Sequence, residues 1–358
     1  MTGAVLELRE PSDAFRRIED WLDAQGFFLS GDEELVADLY LGYGLSQSIR
    51  RGASPPPPEP CPALPAAACR VRPVERTGQF NAEECEIGDW EQTWTPAEYQ
   101  GAVGEVRSAI ARGDVYQVNL VQHLAAPFSG DPNALAARLA RLRPRYSVPF
   151  VTEGWALVSA SPELFLARRG ERLWTMPIKG TRPLGARAQL LESEKDAAEH
   201  VMIVDLERND LSRVCTAGSV HWPELMVTRE LAGVEHMVST VEGTLRQGVG
   251  LAEILEASFP GGSVTGAPKI AAVDLIAELE PVGRGASMGA IGKVYANGDF
   301  DLTLTIRTFA MADGMLHLWV GGGVVWDSDP VTELEESWTK AWPLLDAIGS
   351  RVPEAVTT

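Results

Sequence analysis

The sequence predicts an α+β chain, and three observations carry that expectation. Between Val148 and Pro177, short β-prone runs are separated by turn signals at Gly154, Ser161-Pro162 and Gly170, the pattern of consecutive antiparallel strands. Asn297-Gly298 joins two further β-prone runs, the strongest short-range hairpin signal. Helices open at two strong start signals, Thr95-Pro96-Ala97-Glu98 and Asp329-Pro330, each with a capping residue followed by proline at the first helical position.

Taken in order, Ser12 is placed to cap a helix with Phe15, Ile18 and Leu22 on one face. Phe27 to Leu29 read as a short strand, and Leu35 to Tyr40 as a helical pattern ending at Gly42-Tyr43-Gly44. From Gly52 to Pro73 the composition turns proline-rich, with Pro55 to Pro58 consecutive, which predicts an exposed and poorly ordered loop. The helix after Thr95 buries Tyr99, Val103, Val106 and Ile110 and closes at Gly113. Val115 to Leu124 alternates as a strand, with Tyr116, Val118 and Leu120 on one face and Gln117, Asn119 and His123 on the other. Asn133 to Arg143 is helical.

Gln189 to Val204 is helical and places Asp196 and Glu199 on one side. Val220 to Leu245 is strand-rich and contains His236. Phe259 to Lys269 is a Gly-rich turn running into a helix, without the spacing of a phosphate loop. Ala286 to Tyr295 and Phe300 to Met311 form the hairpin, with Thr303, Thr305 and Arg307 facing one way. Met315 to Val320 ends in Gly321-Gly322-Gly323, whose backbone N–H groups suit a carboxylate. The last helix has Leu334, Trp338, Ala341 and Leu345 as its apolar stripe, with Glu333, Glu336 and Lys340 on the other side. The expected division is a short N-terminal region, 1–94, and a core, 95–352.

Of the 358 residues, 45% are hydrophobic and 23% charged, which is a globular composition. A net charge of −19 argues against nucleic acid and anionic membrane surfaces as partners. An anion would then need a locally positive pocket. The sequence predicts no membrane span and no signal peptide, and Cys61, Cys69, Cys85 and Cys215 form no metal or disulfide framework. A cytoplasmic protein is expected. Lys179, in the run Arg172 to Leu184, follows an apolar strand, where lost hydration lowers an amine's pKa and frees it to act as a nucleophile. Two helices carry carboxylate pairs, Asp196/Glu199 and Glu333/Glu336. If they converge, four carboxylates suit a hard cation such as Mg²⁺.

Nine ordered stretches resemble the chorismate-utilising enzymes: YQVNL, SPELF, PIKGTRP, KDAAEHVMIVDLERNDL, HMVSTVEG, FPGGSVTGAPK, TIRT, GGGVV and ELEESWTK. They span about Thr95 to Ile348. The resemblance implies two large antiparallel β-sheets packed near-orthogonally with flanking helices. It implies that Glu199 and Glu336 hold Mg²⁺, backed by Asp196 and Glu333, with Arg307 and the backbone of Gly321, Gly322 and Gly323 taking a substrate carboxylate. Gly180 and Thr181 would line the ring, with Ser263 and Lys340 nearby. Glu163 would be the general acid that protonates the departing 4-hydroxyl of chorismate, and His236 an active-site histidine.

Two positions sort the chemistry within that family. Isochorismate and salicylate synthases carry a water-activating lysine where this chain has Gln117, and anthranilate synthases carry alanine where it has Lys179. The resemblance is greatest to the branch forming aminodeoxychorismate, in which the lysine adds to the substrate and ammonia comes from a separate glutamine amidotransferase subunit. That product leads to para-aminobenzoate and folate. Ser287, counted with the substrate-binding positions, stands where anthranilate-type relatives have a tyrosine. The short, proline-interrupted segment before Thr95 departs from members with a tryptophan pocket.

Overall fold

The computed structural model describes residues 4–28, 35–74, 84–231 and 234–351, with backbone alone at Thr181, Pro183, Lys195, Leu231 and Val234. The chain begins with β1 (Val5–Leu8) and α1 (Ala14–Ala24), whose Ala14, Ile18 and Leu22 are buried. Asp13, not Ser12, takes the N-cap position, in a left-handed conformation and without a side-chain cap. Phe27 and Phe28 form a turn in place of the predicted strand, Phe28 with a φ of 70°, and Leu29 lies outside the described residues.

β2 (Leu35–Leu41) is a strand where the sequence predicts a helix. Its last six residues are all buried, and it lies between two other strands. A short apolar run covered on both faces loses the alternation that would identify it as a strand. β3 (Ala67–Pro73) pairs with it along its whole length, from Leu35↔Pro73 to Leu41↔Ala67, so the proline-rich loop ends at Ala66 and not at Pro73. Nor is that loop loose against the body. Gly283 N–H donates to Pro58 O at 2.8 Å, and Gly285 N–H donates to Glu59 Oε2 at 3.0 Å.

After β4 (Cys85–Ile87) and β5 (Glu91–Gln92) comes α2 (Pro96–Arg112), with both halves of the predicted capping box made and Gly113 closing it at a φ of 82°. β6 (Gln117–Gly130) and α3 (Pro132–Leu139) follow. The turn-punctuated stretch yields β7 (Phe150–Val151), β8 (Trp155–Ser159), β9 (Leu164–Arg169) and β10 (Arg172–Met176), as expected, then β11 (Ile178–Pro183). The predicted helix at 189–204 is two, α4 (Arg187–Leu191) and α5 (Glu194–Ser212), because the Ser193 hydroxyl accepts from Asp196 N–H and starts a new one.

β12 (His221–Leu231), β13 (Val234–Thr244), α6 (Leu251–Ser258) and the two-residue β14 (Gly266–Ala267) lead to α7 (Lys269–Leu279). β15 (Ala290–Tyr295) and β16 (Phe300–Leu304) form the expected hairpin, followed by β17 (Thr308–Ala312), β18 (Met315–Val324) and α8 (Pro330–Ile348).

Two antiparallel sheets result. The ten-stranded one runs β1-β3-β2-β15-β16-β9-β10-β13-β11, with β12 also on β13. The eight-stranded one runs β14-β6-β18-β17-β8-β7, with β4 and β5 also on β6. The predicted strand from Phe300 to Met311 is therefore broken. β16 ends in the first sheet at Leu304, the chain turns through Thr305, Ile306 and Arg307, and β17 begins in the second. Arg307, at a φ of 50°, makes the crossing, so it does not share a strand face with Thr303. One hydrophobic core holds residues of both sheets, including Leu39, Leu166 and Leu302 from the first and Leu120, Phe309 and Leu318 from the second. Residues before Thr95 supply three strands of the first sheet. Among the described residues no helix is long and apolar enough to cross a membrane.

Candidate active site

The site is assembled where the chain passes between the sheets. β11 pairs with β13 as Ile178↔Val238 and Lys179↔Met237, then resumes as Thr181↔His236, leaving Gly180 as an extra residue. Such a bulge bends a strand and re-aims its neighbours. Gly180 takes a φ of 67°, and a Cβ there would lie 2.5 Å from Leu190 Cδ1, so only glycine fits without rearrangement. Lys179 Nζ, next to the bulge, donates to Ser263 O at 3.3 Å. Thr181 keeps its place opposite His236, and its side chain lies outside the described residues.

Glu163, just before β9, is buried, and its Oε1 accepts from Ile178 N–H at 3.4 Å. Burial pushes its carboxyl above the usual range, while the charge of Lys179, the Ser263 hydroxyl, Ile178 N–H and the charge of Arg307 pull it back. A carboxyl raised in this way can keep a proton to donate. His236 is buried with Nδ1 3.3 Å from Gly180 O. Burial lowers its pKa, the Gly180 carbonyl opposes that, and Arg307 adds to it, so the imidazole is held neutral. Lys179, Glu163, Ser263, His236 and Arg307 are thus one electrostatic neighbourhood.

The carboxylate pairs lie on α8 and α5. On α8, Glu333 is buried and accepts from Ser328 Oγ at 2.6 Å. Lys340 Nζ sits 2.8 Å from Glu336 Oε1 and donates to Gly321 O at 2.9 Å. The three glycines of β18 each have a reason. Cβ atoms at Gly321 and Gly323 would meet Leu120 O at 1.9 Å and Gln117 Nε2 at 2.0 Å. One at Gly322 would stand 3.0 Å from Lys340 Nζ, 3.5 Å from Glu336 Oε1 and 3.6 Å from Glu333 Oε2, so its absence leaves a hollow faced by the α8 side chains. β17 accompanies β18 only as far as Leu318, so among the described residues the glycines have β6 on one edge and no strand on the other.

On α5, Asp196 Oδ2 pairs with Arg182 Nη2 at 2.7 Å and lies against Gly180, and Glu199 follows on the same side. The 262–264 turn contacts both α5 and β18 and so stands between the two halves. Among the described residues no group of three or more His, Cys, Asp or Glu side chains is close enough to hold an ion alone. Mg²⁺ takes one or two carboxylates and fills its shell from water and substrate, and the oxygen donors on these two helices are Asp196 and Glu199 of α5 and Glu333 and Glu336 of α8.

Ser287 is buried, with an Oγ that meets no protein partner. The same holds for both polar ends of Gln117, Asn119 Oδ1 and Thr265 Oγ1, which surround the glycine strand and β14. Buried polar atoms are normally satisfied, so orphans gathered in one place mark a surface made for polar contact with something else. Two neighbours escaped the sequence reading. His200 is fully buried beside Lys179, and burial with that positive charge pushes its pKa down to about 4. Glu207 is buried near Glu163 and pushed up to about 8. Both stand with Asp196 on one face of α5, but that spacing alone does not tell a buried face from a solvated one.

Positive groups gathered over a buried acid, in a chain of net charge −19, fit a small carboxylate-bearing ligand. The chain belongs to the chorismate binding enzyme family, whose pattern matches residues 56–346. It is similar to aminodeoxychorismate synthase component 1 of Bacillus subtilis, 38% identical over 80% of this chain and 60% of that protein. It is similar also to anthranilate synthase component 1 of Thermus thermophilus, 42% identical over 70% of this chain and 56% of that protein. The chain thus spans little more than half the length of these relatives. The crystal structure of anthranilate synthase component I from Streptococcus pneumoniae superposes with a TM-score of 0.80 at 26% identity, over 90% of this chain and 85% of that one.

Proposed function

We propose that this chain is the chorismate-aminating component of an aminodeoxychorismate synthase. The observation that carries the reading is Lys179. It is aimed by a glycine bulge, held by Ser263 O, and set close enough to the buried acid Glu163 for their charges to interact. A nucleophile beside a proton donor is what substitution of a poor leaving group requires.

In this reading Arg307 and the β18 glycines bind the enolpyruvyl carboxylate of chorismate. Glu199 and Glu336, backed by Asp196 and Glu333, would hold Mg²⁺, which when bound would supply positive charge to offset the substrate's carboxylates. The Lys179 amine adds to C2 while Glu163 gives its proton to the hydroxyl departing from C4 as water. Ammonia then adds at C4 and Lys179 leaves C2, so the amine takes the place of the hydroxyl. The neutral imidazole of His236 lines the site without adding positive charge. The four cysteines are buried, and burial raises all of their thiols, to about 11 for Cys61 and Cys215. None is a ready thiolate, so glutamine would be hydrolysed on a separate amidotransferase subunit.

Identity to an anthranilate synthase component favours a second reading, release of pyruvate and formation of anthranilate. Lys179 sets the first ahead. The test is incubation with chorismate and Mg²⁺ without ammonia, followed by a quench and intact-mass measurement. An adduct of chorismate less water is expected on the peptide containing Lys179. Lys179→Ala should form none and lose most amination. Lys179→Arg should fail equally, because arginine stays protonated and cannot attack. Substantial activity in the arginine variant would remove the covalent role.

A further inference from the structure

Glu280, which closes α7, and Arg284 form an ion pair with both side chains buried. It is bidentate: Arg284 Nε lies 2.8 Å from Glu280 Oε2, and Nη2 lies 2.7 Å from Oε1. A buried pair gives up the hydration of two charges and is often no more stabilising than apolar side chains of the same size. Stability alone therefore does not account for it.

Its other hydrogen bonds go to backbone. Arg284 Nη2 donates to Asn119 O at 2.7 Å and Nη1 to Val264 O at 3.0 Å. Glu280 Oε1 accepts from Val121 N–H at 3.1 Å. Between Val118, where pairing with β14 ends, and Leu124, where pairing with β5 begins, no strand lies along that edge of β6 among the described residues. The pair fills the gap, because a donor for Asn119 O and an acceptor for Val121 N–H are what a neighbouring strand would offer. The guanidinium carbon also sits 4.5 Å over the Tyr43 ring, a contact that steadies the fork from its flat side.

The backbone held in this way belongs to the site. Val264 follows Ser263, whose carbonyl accepts from Lys179 Nζ at 3.3 Å. Asn119 N–H donates to Thr265 O at 2.8 Å, so this bond and the two from Arg284 fasten the 262–264 turn to β6. Arg284 O accepts from Ser287 N–H at 2.7 Å. The segment that carries the arginine is itself anchored, since Trp319 Nε1 donates to Gly283 O at 3.1 Å and Gly285 N–H to Glu59 Oε2 at 3.0 Å.

We propose that Arg284, held by Glu280, is a positioning residue for Lys179: it locks the 262–264 turn onto β6 and so sets the Ser263 carbonyl against the lysine amine. The proposal rests on Lys179 being the reacting amine. A guanidinium suits the task because its planar fork reaches Glu280 and two carbonyls at once. A lysine ammonium is a point charge on a flexible stem and does not hold all three in place.

The test is Arg284→Lys in the full chain, with two readouts. One is kcat and KM from chorismate consumption at saturating ammonium and Mg²⁺. The other is the rate at which formaldehyde and cyanoborohydride methylate Lys179 without substrate, read by peptide mass mapping. The variant should lower kcat by about ten-fold or more, with the KM for chorismate changed less than about two-fold, since a misplacement of about 1 Å weakens the chemical step more than binding. Lys179 should be methylated faster than in the parent, because its amine is no longer held. Leu135→Ala, which opens a gap behind buried α3 away from the site, is the control for a purely structural effect. It should lower Tm and leave both readouts near the parent's. Should Arg284→Lys fail to fold, the double variant Arg284→Met with Glu280→Met decides, because it leaves no buried charge unpaired. A folded variant that lacks either change, or whose loss lies in KM, overturns the proposal. Consumption is followed whatever the product, so an unexpected product overturns the proposed function and leaves this test standing. If the parent consumes no chorismate, the proposed function fails and the labelling of Lys179 decides this proposal alone.

Discussion

Gly180 adopts a φ of 67° beside Lys179, with Leu190 and Asp196 packed where a side chain would begin. Gly180→Ala would meet left-handed strain of about 1 kcal/mol and a contact at 2.5 Å from Leu190 Cδ1. The expected outcome is a lowered Tm and a loss of amination larger than the loss of stability explains, read by thermal unfolding beside steady-state kinetics. Unchanged kinetics would show that the bulge does not aim the lysine. Lys179 was singled out by its place after an apolar strand and Glu163 by the family resemblance, and the structure sets the two close enough for their charges to interact. The bulge was not legible, since a single extra residue leaves no mark on strand periodicity. Glu207 was missed for a different reason. Charged residues on a helix are ordinarily solvated, and its burial depends on packing of α5 against β10 and the 261–263 turn.

At the scale of elements, α5 carries Asp196 and Glu199 and packs on the 262–264 turn, while α8 carries Glu333 and Glu336 and packs on β18. Replacing Glu199 or Glu336 by glutamine removes a charge from a site with few protein ligands to spare. Each variant is expected to stay folded and to lose turnover at ordinary Mg²⁺ concentrations, with partial recovery as Mg²⁺ is raised. Near-parent activity of both at unchanged Mg²⁺ dependence would move the metal elsewhere. Caps made both ends of α2 and the start of α8 readable to the residue, because the capping side chain, the N1 proline and, for α2, the closing glycine are all local. β2 was misread for want of such signals. Its identity comes from β3 and β15 on its two edges, neither of which is near it in sequence. The crossing at Arg307 was hidden similarly, since β16 and β17 look like one strand until their partners in different sheets are known.

At the scale of the whole molecule, two antiparallel sheets share one core and the site lies where the chain crosses between them. With every cysteine buried and its thiol raised, the purified chain is expected to use ammonium and not glutamine. Efficient glutamine-dependent turnover by the chain alone would contradict that and place an amidotransferase activity within it. The family was legible from nine short stretches because each serves a fixed local geometry. The branch rests on far less, chiefly Lys179 where a relative would have alanine, and relatives of both kinds are about equally similar. The most direct measurement is therefore identification of the product formed from chorismate, ammonium and Mg²⁺ by chromatography and mass spectrometry. The account predicts 4-amino-4-deoxychorismate, with the enolpyruvyl group retained and no pyruvate released. Anthranilate with stoichiometric pyruvate, or isochorismate formed without nitrogen, would contradict it.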